Sequence, residues 1–186
     1  MCEANLGIRF AAGGESELEE VVLAYGEKLL RYATSMLKSH HDAEDVVQRV
    51  FHTAYQKRQT FDGQNLSAWL YKITYRYCLD QLRKRKILFF ADLGNVRDEA
   101  VDPFADVSAG DDLLDALGQL TAKERALLFG RIMDGHSYEE LAGIHGRSPA
   151  ALRKQYERTK KKLAGHLMAQ EMQRKELKSE RGTEQV

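Results

Sequence analysis

A row of cations along one side of a short helical stretch is suited to holding an anion. In HSYEELAGIHGRSPAALRKQYERTKKKL, residues 136–163, the residues Ala151, Leu152, Tyr156, Thr159 and Leu163 recur at helical spacing on one side. Arg153, Lys154, Gln155, Glu157, Arg158, Lys160 and Lys161 are then left facing outward. A guanidinium can hold guanine O6 and N7 through two parallel hydrogen bonds, whereas lysine more often meets phosphate. The elements that must position these groups are also legible. Ser137 and Glu140 form a capping box that starts one helix, and Leu141 and Ile144 carry its apolar side. His145-Gly146-Arg147 breaks it, and Ser148 followed by Pro149 supplies an N-cap and a proline in the first turn of a second helix. Two short helices joined at a glycine have the layout of a helix-turn-helix. An ordinary helical hairpin with a solvated cationic face fits this stretch equally well, so the rest of the chain must discriminate.

The 186 residues carry 28 Lys and Arg against 28 Asp and Glu, and 43% are hydrophobic. This is the composition of a globular chain with one domain or two small ones, not of a generally nucleic-acid-coating protein. The zero total hides a pattern. Residues 83–86 and 147–162 are strongly basic, while from Ile87 to Gly118 Asp92, Asp98, Glu99, Asp102, Asp106, Asp111, Asp112 and Asp115 face only Arg97. With two cysteines, Cys2 and Cys78, neither a disulfide framework nor a cysteine-rich zinc site is expected. No apolar run reaches bilayer length and the start MCEANLGIRF lacks a signal-peptide core, so the expected location is the cytoplasm.

Stepping along the chain, 3.6-residue periodicity predicts an all-α fold without strands. Residues 16–38 should form a helix burying Leu18, Val22, Tyr25, Leu29, Tyr32 and Met36. Asp42 is placed to cap a second helix with Ala43, Val46, Val47, Val50 and Ala54 inward. FDGQN interrupts it with Gly63 as breaker, and a third helix over 66–86 turns Leu66, Trp69, Leu70, Ile73 and Tyr77 inward. Residues 87–111 lose the period and collect acids, Pro103, Gly94 and Gly110, as a linker does, although ILFF at 87–90 is unusual there. A further capping box at Thr121 and Glu124 opens the next helix, which Gly135 can end, and the polar tail past 167 is either a helical extension or disordered. The expected organisation is a domain over 1–86, an acidic linker over 87–111, a helix-turn-helix domain over 112–167 and a polar tail over 168–186.

Two segments in this order, HDAEDVVQRVFHTAYQKRQTFDGQNLSAWLYKITYRYCLDQLRKRK and LGQLTAKERALLFGRIMDGHSYEELAGIHGRSPAALRKQYERTKKKL, resemble the extracytoplasmic-function group of sigma-70 family sigma factors, the promoter-specificity subunits of bacterial RNA polymerase. The resemblance runs from about residue 21 to 167. It implies three surfaces. Asp42, Asp45, Gln48 and Tyr55 on the second helix would grip core RNA polymerase. Gln64, Asn65 and Ser67 in the FDGQNLSAW loop would take a flipped base of the minus-ten element, with Lys72, Tyr75, Arg76 and Arg83 on the outward side of the next helix meeting phosphate or stacking on bases. Ser148, Arg153, Lys154, Gln155, Glu157 and Arg158 would read the minus-thirty-five duplex from the major groove. The family commonly has an acid where this chain has Arg49, and many members have asparagine where it has Arg76. The resemblance also implies promoter DNA and an anti-sigma factor as partners.

Other classes fit less well. The six histidines form no His-Glu-x-x-His pair, and neither a phosphate-binding glycine loop nor a nucleophile elbow occurs, so neither an enzyme, a cofactor nor a metal site is expected. The nearer rival is a stand-alone helix-turn-helix regulator, which would bind duplex DNA without polymerase. A protein that only sequesters another protein would not need both basic helices.

Overall fold

The computed structural model describes residues 3–91 and 111–183, with side chains over 6–87 and 113–175. The expected linker acids from Asp92 to Asp106 lie outside the described residues, as do Cys2 and the side chains of 88–90. Among the described residues every regular element is helical: α1 (Glu3–Ala12), α2 (Glu15–Leu37), α3 (His40–Lys57), a 3-10 turn (Arg58–Thr60), α4 (Leu66–Ala91), α5 (Asp111–Gly118), α6 (Ala122–Ile132), α7 (Tyr138–His145) and α8 (Pro149–Thr183). The boundaries have local causes. Ser39, not Asp42, caps α3, its hydroxyl accepting from Asp42 N at 3.3 Å. Gly63 at φ +78 breaks the chain before α4, and Gly146 at φ +66 closes α7 in the left-handed conformation. Thr121 and Ser137 each complete a capping box, with Glu124 and Glu140 as the returning acids. α4 runs on to Ala91 instead of ending at residue 86, and α8 extends through the tail to Thr183.

Helices α2, α3 and α4 pack on one another around Tyr25, Leu29, Tyr32, Val46, Val50 and Leu70. The buried face of α2 passes through Val21, fully enclosed, and leaves Val22 40% exposed, a shift of one position from the sequence expectation. The second set, α5 to α8, buries Leu127, Leu141 and Leu152. It folds back onto the first set, α6 against α2 and α7 against α4. This closed arrangement is held at the C-terminal end of α2, whose last carbonyls need donors. Arg85 Nη1 donates to Leu37 O at 3.0 Å, and Lys38 Nζ donates to Gly118 O at 3.0 Å. Arg125 of α6, only 5% exposed, donates to Ser35 O, to Met36 O and to Leu120 O of its own set.

Candidate nucleic-acid interface

The outward face of α8 is solvent-exposed. Ser148 Oγ accepts from Ala151 N at 3.3 Å and so starts the helix, while Leu152 and Thr159 are buried beneath it. Arg153, Lys154, Glu157 and Arg158 are exposed and Gln155 is half-buried. Their partners differ. Arg153 leans on the Tyr138 ring at 5.1 Å, Gln155 accepts from Arg147, and Glu157 pairs with Lys160 at 3.1 Å. Lys154 and Arg158 make no ion pair among the described residues. They line a shallow groove with Arg147 and Lys123, beside the start of α6. A groove lined by four cations suits an anionic ligand.

The second surface lies on the loop before α4. Asp62 Oδ1 accepts from Gln64 N at 2.9 Å, and Asn65 Oδ1 accepts from Ala68 N at 2.9 Å, capping α4. Gln64 is exposed, Ser67 and Lys72 are half-buried, and Arg76 and Arg83 are exposed. Arg83 pairs with Asp80 at 3.3 Å. Two residues are engaged in ways that sequence reasoning did not anticipate. Asn65 Nδ2 donates to Glu140 Oε1 at 2.5 Å, and Tyr75, expected to face outward, is 6% exposed beneath His145 with ring centroids 4.4 Å apart. The physical reason is that α7 covers this side of α4, so an outward position on the isolated helix becomes an internal one. The arrangement depresses the Glu140 pKa. Burial works against its charge, but hydrogen bonds from Ser137 N and Asn65 outweigh it.

Between the two sets lies a polar cavity of about 480 Å³, whose wall includes Lys28, Arg31, Ser67, Tyr71, Asp134 and His136. Tyr71 meets His136 edge-on at 4.6 Å. Burial pushes His145 down to about 4 from 6.5, helped by Arg147, His136 and Lys123, so the ring is neutral in the closed form. Once α7 lifts away the ring regains its ordinary value and binds a proton below pH 6.5. The closed form therefore loses stability as pH falls from 6.5 towards 4, by roughly 3 kcal/mol at the bottom of that window. Burial raises the Asp134 carboxyl, which opposes part of the effect at the acid end. Energy transfer between labels on α3 and α8 should fall on acidification, and His145→Gln should flatten that response.

On α3, Asp45 and Gln48 are exposed and Tyr55 is half-buried under the Arg58 guanidinium, 4.1 Å from its ring centroid. Asp42 does not join them as an open contact. Its carboxylate is paired with Arg85 and accepts from Gln81 at 3.3 Å, which orients Arg85 for the end of α2. Arg49 lies over the Tyr77 ring at 4.5 Å. Cys78 is enclosed, its thiol pushed up to about 12 by burial, and no metal-holding cluster of His, Cys, Asp and Glu occurs among the described residues. Nor is any described helix long and apolar enough to cross a membrane. The motifs do not point to Arg125. Its only trace is a charge at an inward helical position, between Ala122, Ala126 and Phe129.

The loop before α4, the helix-turn-helix with its exposed cations and the exposed face of α3 are three separate surfaces of one helical protein. Residues 21–87 match the family model for sigma-70 region 2, and residues 110–163 match that for sigma-70 region 4. The chain belongs to the sigma-70 family, in its extracytoplasmic-function group. It is 28% identical to the ECF RNA polymerase sigma factor SigE of Mycolicibacterium smegmatis over 80% of this chain and 61% of that one. With the ECF RNA polymerase sigma factor SigW of Bacillus subtilis it shares 29% identity over 52% of each chain. The matches thus span about three-fifths and one half of these two relatives. Among solved structures, the sigma factor RpoE in complex with the anti-sigma factor NepR from Bartonella quintana superposes with a TM-score of 0.70 at 29% identity, covering 81% of this chain and 96% of that one.

Proposed function

We propose that this protein is a cytoplasmic, non-enzymatic specificity subunit that binds core RNA polymerase, recognises minus-ten and minus-thirty-five promoter elements and promotes melting and initiation. The observation that carries it is the closed contact itself. Asn65 donates to Glu140 and Tyr75 lies under His145, so the helix-turn-helix set engages two residues of the minus-ten surface, while Gln64, Arg76 and Arg83 stay exposed. Asp45 and Gln48 on α3 and the cations of α8 stay exposed. A protein built this way gains Tyr75 and a free Asn65 for single-stranded DNA when a partner separates its two halves. A stand-alone regulator has no use for that device. In this reading residues 1–86 hold polymerase and the minus-ten element, 87–111 tether, and 112–167 read the minus-thirty-five duplex.

Asp45, Gln48 and Tyr55 are the polymerase contacts, with Asp42 contributing through Arg85. Gln64, Asn65 and Ser67 take the extruded base, while Lys72, Arg76 and Arg83 meet phosphate and Tyr75 becomes available for stacking on opening. The relative solved with NepR supports an anti-sigma partner. The test is to mix the purified protein with core polymerase and a promoter-fragment pool. Polymerase-dependent DNA binding and transcript initiation are expected, and Asp45→Ala should reduce both by at least about tenfold, the equivalent of one lost polar contact of 1.4 kcal/mol. Selection of duplex DNA without polymerase, unaffected by its addition, would establish the stand-alone regulator instead.

A further inference from the structure

Residues 1–20 precede the region 2 match, and α1 fills half of that stretch. It is packed against the loop that presents Gln64 and Asn65. Phe10 is fully buried, its ring centroid 6.5 Å from that of Trp69, which stacks on Phe61 at 4.8 Å. Arg58 Nε donates to Gly13 O at 2.8 Å, tying the turn between α1 and α2 to the 3-10 turn that leads into the loop. The tightest approach joins two glycines. A Cβ at Gly7 would lie 2.8 Å from Gly63 O, and a Cβ at Gly63 would lie 3.3 Å from Ile8 Cγ1. Gly63 at φ +78 and Asn65 at φ +40 both have positive φ, a conformation uncommon for any residue but glycine, although asparagine tolerates it better than most. A loop in that state keeps one conformation only when its surroundings over-determine it.

We infer that α1 is a positioning element for base capture: the contact of Gly7 with Gly63 and the Phe10, Trp69 and Phe61 stack set the loop conformation, so minus-ten selectivity depends on residues outside region 2. The inference rests on the assignment of Gln64, Asn65 and Ser67 to the extruded base. Gly7 and Phe10 touch no base and act only through Gly63 and the aromatic stack.

The test uses the full chain with core RNA polymerase and a pool of single-stranded DNA randomised over six positions. Gly7→Ala and Gly7→Leu are compared with the unsubstituted protein and with Val22→Ala, an exposed change on α2. Three quantities are read: affinity for core polymerase, binding of promoter duplex by the assembled complex, and base enrichment at each randomised position. Base enrichment at the most selective position should fall about tenfold in Gly7→Leu and less in Gly7→Ala, a loss of about 1.4 kcal/mol. Polymerase affinity and duplex binding should stay within about twofold, the scatter expected of a change that touches neither surface. Unchanged enrichment in Gly7→Leu overturns the inference, as does a parallel fall of all three quantities, which would mark α1 as a general prop of the fold. If the unsubstituted protein enriches no base in the presence of polymerase, the proposed function itself fails and takes this inference with it.

Discussion

Replacing Arg125 with leucine shifts the free protein from the closed to the open arrangement by about two orders of magnitude. The guanidinium bridges the two helical sets by donating to Ser35 O and Met36 O, and it is 5% exposed. Hydrogen bonds from a charged donor contribute about 1.5–3 kcal/mol each, and removing the donor leaves carbonyls at the end of α2 buried without partners. A loss of about 3 kcal/mol in the closed form is therefore expected, and each 1.4 kcal/mol is a factor of ten. Opening exposes Tyr75 and frees Asn65 from Glu140, so single-stranded DNA binding without polymerase should appear in the variant. Affinity for polymerase should not fall, because Asp45 and Gln48 lie on the far element. Energy transfer between α3 and α8 reports the opening directly. A variant as closed as the parent would show that the apolar contacts of α6 and α7 alone hold the two sets together. Lys38→Ala, which removes one exposed-end donor to Gly118 O, should act in the same direction with a smaller effect.

Arg158→Ala should weaken promoter binding by about 10- to 100-fold and flatten preference at one base pair of the minus-thirty-five duplex, since a bidentate guanine contact contributes about 1–3 kcal/mol of discrimination. The residue is suited to it because no carboxylate holds it among the described residues, in contrast to Glu157 and Lys160, which hold each other at 3.1 Å. Lys154→Ala should behave differently. It should lower affinity almost evenly across sequences and reduce the salt slope by about one, as the loss of one phosphate contact does. A randomised duplex pool, bound in the presence of polymerase at two salt concentrations, separates the two behaviours. If Arg158→Ala lowers every sequence equally, Arg158 is a phosphate contact and the base-reading role passes to Arg153, which already rests on Tyr138.

Most helix boundaries were legible because their causes are local. Ser137 and Glu140, Thr121 and Glu124, Gly146, and Ser148 with Pro149 act within one turn of chain, and each does in the structure what its spacing predicts. α1 was less visible. Leu6 and Phe10 stand four apart before Gly13-Gly14, a short apolar pair that shows its purpose only once Trp69 and Phe61 are beside it. Asp42 shows the limit of a local reading. Its type and position suit a cap, yet Ser39 takes that task and Asp42 pairs with Arg85, which lies 43 residues further along the chain.

By itself the sequence determined the all-helical class, the two motif-bearing segments, their family and the cationic face of α8, since these depend on periodicity and on signals a few residues apart. Only the tertiary structure decided which of those surfaces is open. Tyr75 and Asn65 are outward on α4 and its cap until α7 lies across them, and Arg125 is an ordinary helical arginine until the end of α2 offers it two carbonyls. Periodicity reports which face of a helix is apolar. It cannot report that a polar face is met by a second polar face from a distant part of the chain, because hydrogen bonds and ring contacts of that kind leave no apolar pattern behind.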